Sequence, residues 1–153
     1  MEQESHSETI RSAALGILTE EKSDSNLATL KEMAVYGAAP YNLRGSIFRR
    51  IANYREEHPD LIDYFADHIN DKSRSVRGMC ANQIIRHGSV EQFADVLEMA
   101  DGEPLRGGRI ADIYAALDSR LAKLKKSKKR KGAREVEKMQ KMFAESAEEW
   151  GNN

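Results

Sequence analysis

The sequence has little of what covalently cross-linked and membrane-spanning proteins require. It contains a single cysteine, Cys80, so neither an internal disulfide nor a multi-thiolate zinc site is available. No run approaches the roughly 18 apolar residues that a membrane-spanning helix needs. The first residues have neither the positive region nor the apolar stretch of a secretory signal. We therefore expect an intracellular, cytoplasmic protein without a membrane partner.

Motifs for catalysis or cofactor binding are also lacking. The four histidines form no HExxH pair, and the chain has neither a P-loop nor a dinucleotide-binding glycine fingerprint. The acidic cluster at residues 63–71, which includes His68, is more typical of a solvated helix face than of a metal site. Aromatic residues make up 7% of the chain, which is sparse for a pocket that handles bases. We predict no catalytic residue, no metal and no cofactor.

Interruptions of regular structure are few, since the chain has three prolines and ten glycines. Between them, apolar residues recur at three- and four-residue spacing, which is the period of an α-helix packed on a core. This pattern predicts an all-α fold of eight helices. We expect them at residues 5–22, from 25 to about 37, 41–57, 60–70, 73–87, from about 90, from 104 to about 124, and 133–150.

Local signals define several of these boundaries. The residue before a proline is pushed out of the helical region, so His58 and Pro59 should end the third helix. Gly88 suits the position after a helix end, and Ser89 with Gln92 fits a capping box that opens the next helix.

Three short segments repeat an arginine-glycine pair near the start of a helix, and successive arginines are 33 and 29 residues apart. An isoleucine follows six residues after each glycine, so the repeated arginines lie over core positions. This favours a role in bracing neighbouring helices over a row of guanidinium groups that face a ligand. The glycines are expected to permit close helix approach. The repeated positions are Arg44, Gly45, Arg77, Gly78, Arg106 and Gly107.

The middle unit, residues 60–88, resembles the HEAT-repeat family of stacked antiparallel helix pairs. Asp71, followed after four residues by Val76 and Arg77, is similar to the turn between the two helices of a HEAT unit. The resemblance extends over residues 24–124. It implies a short α-solenoid of about three HEAT-like helix pairs with flanking N- and C-terminal helices. It also brings a weaker alternative for function, a DNA-repair-type enzyme.

The predicted domains follow from this repeat. Residues 1–124 form the HEAT-like domain with its N-terminal capping helix, residues 125–134 form a basic linker, and residues 135–153 form an amphipathic helix and tail. A stack of repeats needs its end covered. We therefore favour docking of the last helix on the chain's own helices over binding of that helix to an external partner, and Trp150 is the residue that should decide.

The strongest local signal is the basic run, residues 123–134, which contains eight basic residues and no acidic one. Mutual repulsion predicts an extended, mobile segment that attracts polyanions through counterion release, with a helix break at Gly132. A solvated linker without a partner is the alternative, and in a eukaryote the run would also suit nuclear localisation. The eight residues are Lys123, Lys125, Lys126, Lys128, Lys129, Arg130, Lys131 and Arg134.

Charge is also divided among the helices. The second helices of the pairs are rich in arginine and the first helices are rich in aspartate and glutamate, so a stack would have one face of each kind. The candidate binding residues on the arginine-rich face are Arg49, Arg50 and Arg109. Without the basic run, the chain has 16 basic against 25 acidic residues, so its net charge of −1 combines +8 with −9.

These features together predict a non-enzymatic interaction module, an adaptor or regulator, that binds an acidic protein partner through the arginine-rich face. The alternative is a nucleic-acid-binding protein that uses the same face and the basic run. Neither interpretation determines an oligomeric state.

Overall fold

A computed structural model describes residues 13–17, 20–35, 37, 41–98 and 110–151. All regular secondary structure in these ranges is helical, as the apolar spacing predicts. The helices are α1, described over residues 13–17, α2 (Asp24–Ala34), α3 (Tyr41–Ala52), α4 (Leu61–Asp67), α5 (Arg74–His87), α6 (Val90–Glu98), α7 (Ile110–Lys126) and α8 (Arg130–Gly151). The chain divides into two compact units, Met1–Leu61 and Ile62–Asn153.

In the first unit, α2 packs against α3. Ser23 caps the start of α2, because its hydroxyl accepts a hydrogen bond of 3.2 Å from the amide of Asn26. The core of this pair combines two leucines from α2 with three apolar side chains from α3. These buried residues are Leu27, Leu30, Ile47, Phe48 and Ile51.

The third helix ends earlier than its sequence pattern predicts. Residues 41–57 were expected to be helical, but α3 stops at Ala52 and the chain continues in turns. The amides of Asn53 and Tyr54 donate to the carbonyls of Arg50 and Ile51, three residues back, at 3.1 and 3.0 Å. This tighter winding places Tyr54 in the core, where it is 1% exposed.

In the second unit, α5 contacts α6 and α7, and α8 also contacts α6 and α7. The apolar faces of these four helices share one core. Its fully buried members include Val76, Cys80 and Ile84 of α5, Phe93 and Val96 of α6, Leu117 of α7, and Val136, Met139 and Phe143 of α8. Cys80 is thus a small apolar core residue.

The last helix docks on the chain's own helices. The ring of Phe143 meets the rings of Tyr114 and Trp150 edge-on, with centroids 4.9 and 6.1 Å apart. Tyr114 belongs to α7, and Trp150 lies two turns after Phe143 on α8. The amphipathic face of α8 is therefore covered from within the second unit.

The boundary between α5 and α6 has the predicted capping box, but Gly88 is the C-cap itself and not the residue after it. The amide of Gln92 donates to the Ser89 hydroxyl at 3.2 Å, and the amide of Ser89 donates to Gln92 Oε1 at 2.9 Å, which confirms the capping box. Gly88 is the C-cap of α5, and its φ of −72° lies outside the left-handed region. Glycine is needed there for space, because a Cβ would lie 2.8 Å from the Ile84 carbonyl oxygen.

Candidate polyanion-binding site

The basic run forms the end of one helix and the start of the next. α7 continues to Lys126 and α8 begins at Arg130, so only residues 127–129 lie between the helices. The expectation of an extended segment broken at Gly132 is wrong. Gly132 lies inside α8, where a Cβ would come within 3.4 Å of the Leu124 side chain. Burial of the apolar face of α8 against α7 outweighs the repulsion between neighbouring lysines.

The turn between α7 and α8 has the hydrogen bonds of a Schellman motif. The amide of Lys129 donates to the Leu124 carbonyl at 2.9 Å, and the amide of Lys128 donates to the Lys125 carbonyl at 3.1 Å. Lys128 occupies the left-handed position of this motif, with a φ of 58°. Glycine is usual at this position because a Cβ crowds the backbone. This chain has lysine there instead, so no glycine in the sequence marks the turn.

Helical winding concentrates the eight charges of the basic run. All eight side chains are exposed. A helix rises 1.5 Å per residue, so the charges occupy roughly one turn at the end of α7, the connecting turn and slightly more than one turn of α8. The same twelve residues would span roughly 40 Å if extended. The structure therefore presents a compact cluster of cations around the connection between α7 and α8.

An open cleft of about 510 Å³ lies between the end of α7 and the first turns of α8. Four cationic side chains, two apolar side chains and one carboxylate line it. These are Leu124, Lys125, Lys128, Arg130, Ala133, Arg134 and Glu137. We call this feature the basic cleft.

One ion pair lies within the basic cleft. Lys125 Nζ is 3.0 Å from Glu137 Oε1, and the two side chains are 59% and 49% exposed. Arg130 and Arg134 are four residues apart on α8, so they lie on the same face of the helix. The cleft thus contains two planar guanidinium groups, two ammonium groups and one carboxylate.

Two of the repeated arginines bind backbone carbonyls. Arg44 is 2% exposed, donates from Nε to the Ala34 carbonyl at 3.0 Å and lies over the Phe48 ring. Arg77 donates from Nη1 to the carbonyls of Asp71 and Lys72 at 2.8 and 3.1 Å. Each guanidinium holds a segment of backbone within its own unit. The third repeated arginine, Arg106, lies outside the described residues, as do Gly107 and Arg109.

The remaining described repeat positions, Asp71, Gly45 and Gly78, differ in what they contact. The Asp71 carboxylate accepts a hydrogen bond of 2.7 Å from the amide of Ser73, which shapes the turn before α5. Gly45 lies within α3. The expectation that Gly78 permits close helix approach is wrong, because no heavy atom lies within 4 Å of a Cβ built there. The spacing of Gly78 in the sequence matches a repeat but implies no packing contact.

The described arginines of the predicted arginine-rich face differ in exposure. Arg49 is exposed and Arg50 is half-buried, both on α3. Arg86 on α5 is exposed and donates to Asn82 Oδ1 at 3.0 Å.

Sequence reasoning missed the role of Arg120. Its Nη2 donates to the Gly88 carbonyl at 2.7 Å and its Nη1 to the Ile85 carbonyl at 3.2 Å. Burial lowers the pKa of Arg120 from its ordinary value, although a guanidinium stays protonated in proteins. The signal was present, because Arg120 follows the buried Leu117 by three residues and so lies on the inner face of α7.

Sequence reasoning also missed Glu137, which is the one carboxylate among the described residues that line the basic cleft. It lies three residues after Arg134, outside the run that composition defines. Among the described residues, no group of three histidine, cysteine, aspartate or glutamate side chains is placed to hold a metal ion. No helix within those same ranges is long and apolar enough to cross a membrane.

Comparisons with family models, with curated proteins and with solved structures find no match to this chain. The functional assignment therefore depends on the chemistry of the basic run and its cleft.

Proposed function

We propose that the protein is a non-enzymatic, nucleic-acid-binding module that contacts the phosphate backbone through the basic run. The observation that supports this most strongly is the exposure of all eight cations at one turn. Duplex DNA carries one negative charge per about 1.7 Å of axis, so a compact cluster of cations can neutralise several phosphates together. The proposed site of action is inside the cell.

Recognition by this site is independent of base sequence. The basic run contains no aromatic residue on which a base could stack. Contacts to phosphates fix position and orientation on a nucleic acid but do not identify its bases. We expect DNA and RNA of unrelated sequences to bind with similar affinity.

An acidic protein partner bound through the arginine-rich face is the second candidate. Exposed Arg49 on α3 supports it. Three arginines of that face, Arg44, Arg77 and Arg120, instead donate to backbone carbonyls. The face therefore has fewer guanidinium groups to offer a partner than its sequence indicates, and we favour the nucleic-acid proposal.

The proposed architecture is a short HEAT-like α-solenoid. Contacts of α5 with α7 and of α6 with α8 support it, because alternate helices lie side by side when helix pairs are stacked. Among the described residues, the pairs α4–α5 and α6–α7 are not part of the main helix contacts, so the support comes from the alternate helices alone. In that arrangement α8 would occupy the place of a first helix in a further pair.

The test is a salt series of nucleic-acid binding, measured by fluorescence anisotropy with labelled duplex DNA and single-stranded RNA. The variant to compare has all eight basic residues of the run replaced by glutamine, a good helix former. Deleting residues 123–134 would remove the turn that joins α7 to α8, so substitution is the sharper choice.

We expect the affinity of the wild-type protein to fall by about 10³-fold between 50 and 200 mM salt if six or more phosphates are contacted. The glutamine variant should bind weakly, with little salt dependence. As a control, Arg49→Gln with Arg50→Gln should leave nucleic-acid binding nearly unchanged. Absence of wild-type binding to either nucleic acid at 50 mM salt would contradict the proposal.

A further inference from the structure

The eight cations of the basic run are not equivalent. Four of them, Lys125, Lys128, Arg130 and Arg134, line the basic cleft. The other four belong to the same run and are exposed, but they do not line the cleft. These outer residues are Lys123, Lys126, Lys129 and Lys131.

We propose that the basic cleft is a discrete binding site for a backbone phosphate of the nucleic acid, and that this phosphate replaces the Glu137 carboxylate as the partner of Lys125. This inference rests on the proposed function and adds to it a particular site and a built-in competitor.

The cleft has the chemistry that a phosphate needs. Arg130 and Arg134 each present a planar fork of donors that matches two phosphate oxygens. Lys125 and Lys128 add two ammonium groups, and the side chains of Leu124 and Ala133 are apolar. The volume of about 510 Å³ lies within the range of about 300–1,000 Å³ found for small-ligand sites.

Glu137 occupies part of this site when no ligand is bound. A carboxylate and a phosphate both offer two oxygens to a cation, and the Glu137 carboxylate is 3.0 Å from Lys125 Nζ. The pair is half-exposed, and exposed pairs of this kind are weak. A phosphodiester that is also held by the two arginines can therefore displace the carboxylate at small cost.

The backbone at Lys128 fits this interpretation. Lys128 adopts a left-handed conformation that glycine would adopt with less strain, and its side chain lines the cleft. Strained residues cluster at binding sites, where the surrounding structure holds them. A glycine at position 128 would leave the cleft with three cations.

The first experiment compares two variants that lose the same charge from the same run. The cleft variant replaces Lys125, Lys128, Arg130 and Arg134 with glutamine, and the outer variant replaces Lys123, Lys126, Lys129 and Lys131 with glutamine. Charge alone predicts equal losses of affinity for a labelled DNA duplex. We expect the cleft variant to lose about tenfold more affinity than the outer variant at 100 mM salt, because charge-assisted contacts depend on geometry.

The second experiment measures a gain of affinity, which misfolding does not produce. Glu137→Gln should bind the duplex about two- to fivefold more tightly than wild type, since the competing carboxylate is lost. Glu135→Gln removes the same charge two residues away on α8, outside the cleft, and should change affinity much less. Circular dichroism and thermal melting confirm that the variants remain folded.

The outcomes separate the two proposals. Wild-type protein that fails to bind the duplex at low salt overturns the proposed function and this inference together. Wild-type binding with equal losses in the cleft and outer variants overturns the phosphate site and leaves the proposed function standing. Equal effects of Glu137→Gln and Glu135→Gln overturn the displacement of the carboxylate.

Discussion

Arg120, Arg44 and Arg77 all donate to backbone carbonyls, and Arg120 and Arg44 do so at helix ends. The last carbonyls of an α-helix have no partner within the helix, and the end of the helix dipole there is negative. Arg120 meets this need at the end of α5, and Arg44 does so at the end of α2. A guanidinium suits the task because it satisfies the carbonyls and also balances the dipole.

Replacing Arg120 with methionine should therefore destabilise the second unit. The change keeps much of the side-chain volume but leaves the carbonyls of Ile85 and Gly88 without their charged donor. We expect a loss of about 2–4 kcal/mol in the free energy of unfolding, measured by urea denaturation. Arg86→Met on exposed α5 surface is the matched control and should change it by less than about 0.5 kcal/mol. Equal effects of the two substitutions would refute this role for Arg120.

At the residue scale, sequence periodicity predicted that Arg44 and Arg77 lie next to the core but not what they bind. The carbonyl that Arg44 contacts lies 10 residues away in the chain, and those of Arg120 lie 32 and 35 residues away. Side-chain spacing determines the face of a helix on which a residue lies. The identity of a partner on another segment depends on how the segments pack.

At the scale of a helix, the sequence predicted those boundaries that are formed by hydrogen bonds between residues close together in the chain. Ser89 and Gln92 cap α6 through bonds that span three residues, so their pattern is visible in the sequence. The turn at Lys128 was missed because a Schellman motif without glycine has no such pattern. Gly132 was interpreted as a break because charge repulsion was considered without the packing of α8 on α7.

Two glycines of the same region should respond to alanine with opposite signs. Gly78 lies inside α5, and a Cβ there meets no heavy atom within 4 Å, so Gly78→Ala should stabilise the protein by about 0.5–1 kcal/mol. A Cβ at Gly88 would lie 2.8 Å from the Ile84 carbonyl oxygen, so Gly88→Ala should destabilise it by about 1–3 kcal/mol. Urea denaturation measures both. Destabilisation by Gly78→Ala would show that a close contact exists there after all.

At the scale of the whole chain, charge is separated rather than balanced. The basic run contributes +8 and the rest of the chain −9. Composition alone located the candidate site along the sequence, because the basic run has eight basic residues within twelve positions and no acidic residue. The cleft required the fold, since Glu137 lies beyond the run and Lys128 is positioned by a turn that the sequence does not signal.

Charge separation should make the protein bind a cation exchanger although its net charge is −1. At pH 7.5 and low salt, the exposed cations of the basic run contact the negatively charged resin while the acidic remainder stays in solution. We expect retention on a sulfonate column with elution by moderate salt. The variant with all eight basic residues replaced by glutamine should flow through. Wild-type protein in the flow-through would show that the acidic remainder masks the run.

Because Lys128 has a left-handed conformation, selection for stability and selection for DNA binding should favour different residues at this position. In a library randomised at position 128 and selected for heat resistance, glycine should become enriched, because it fits that backbone with less strain. The same library selected for capture on DNA should retain lysine or arginine. The identity of this one residue would then show whether such a protein has been shaped more by its thermal environment or by its ligand.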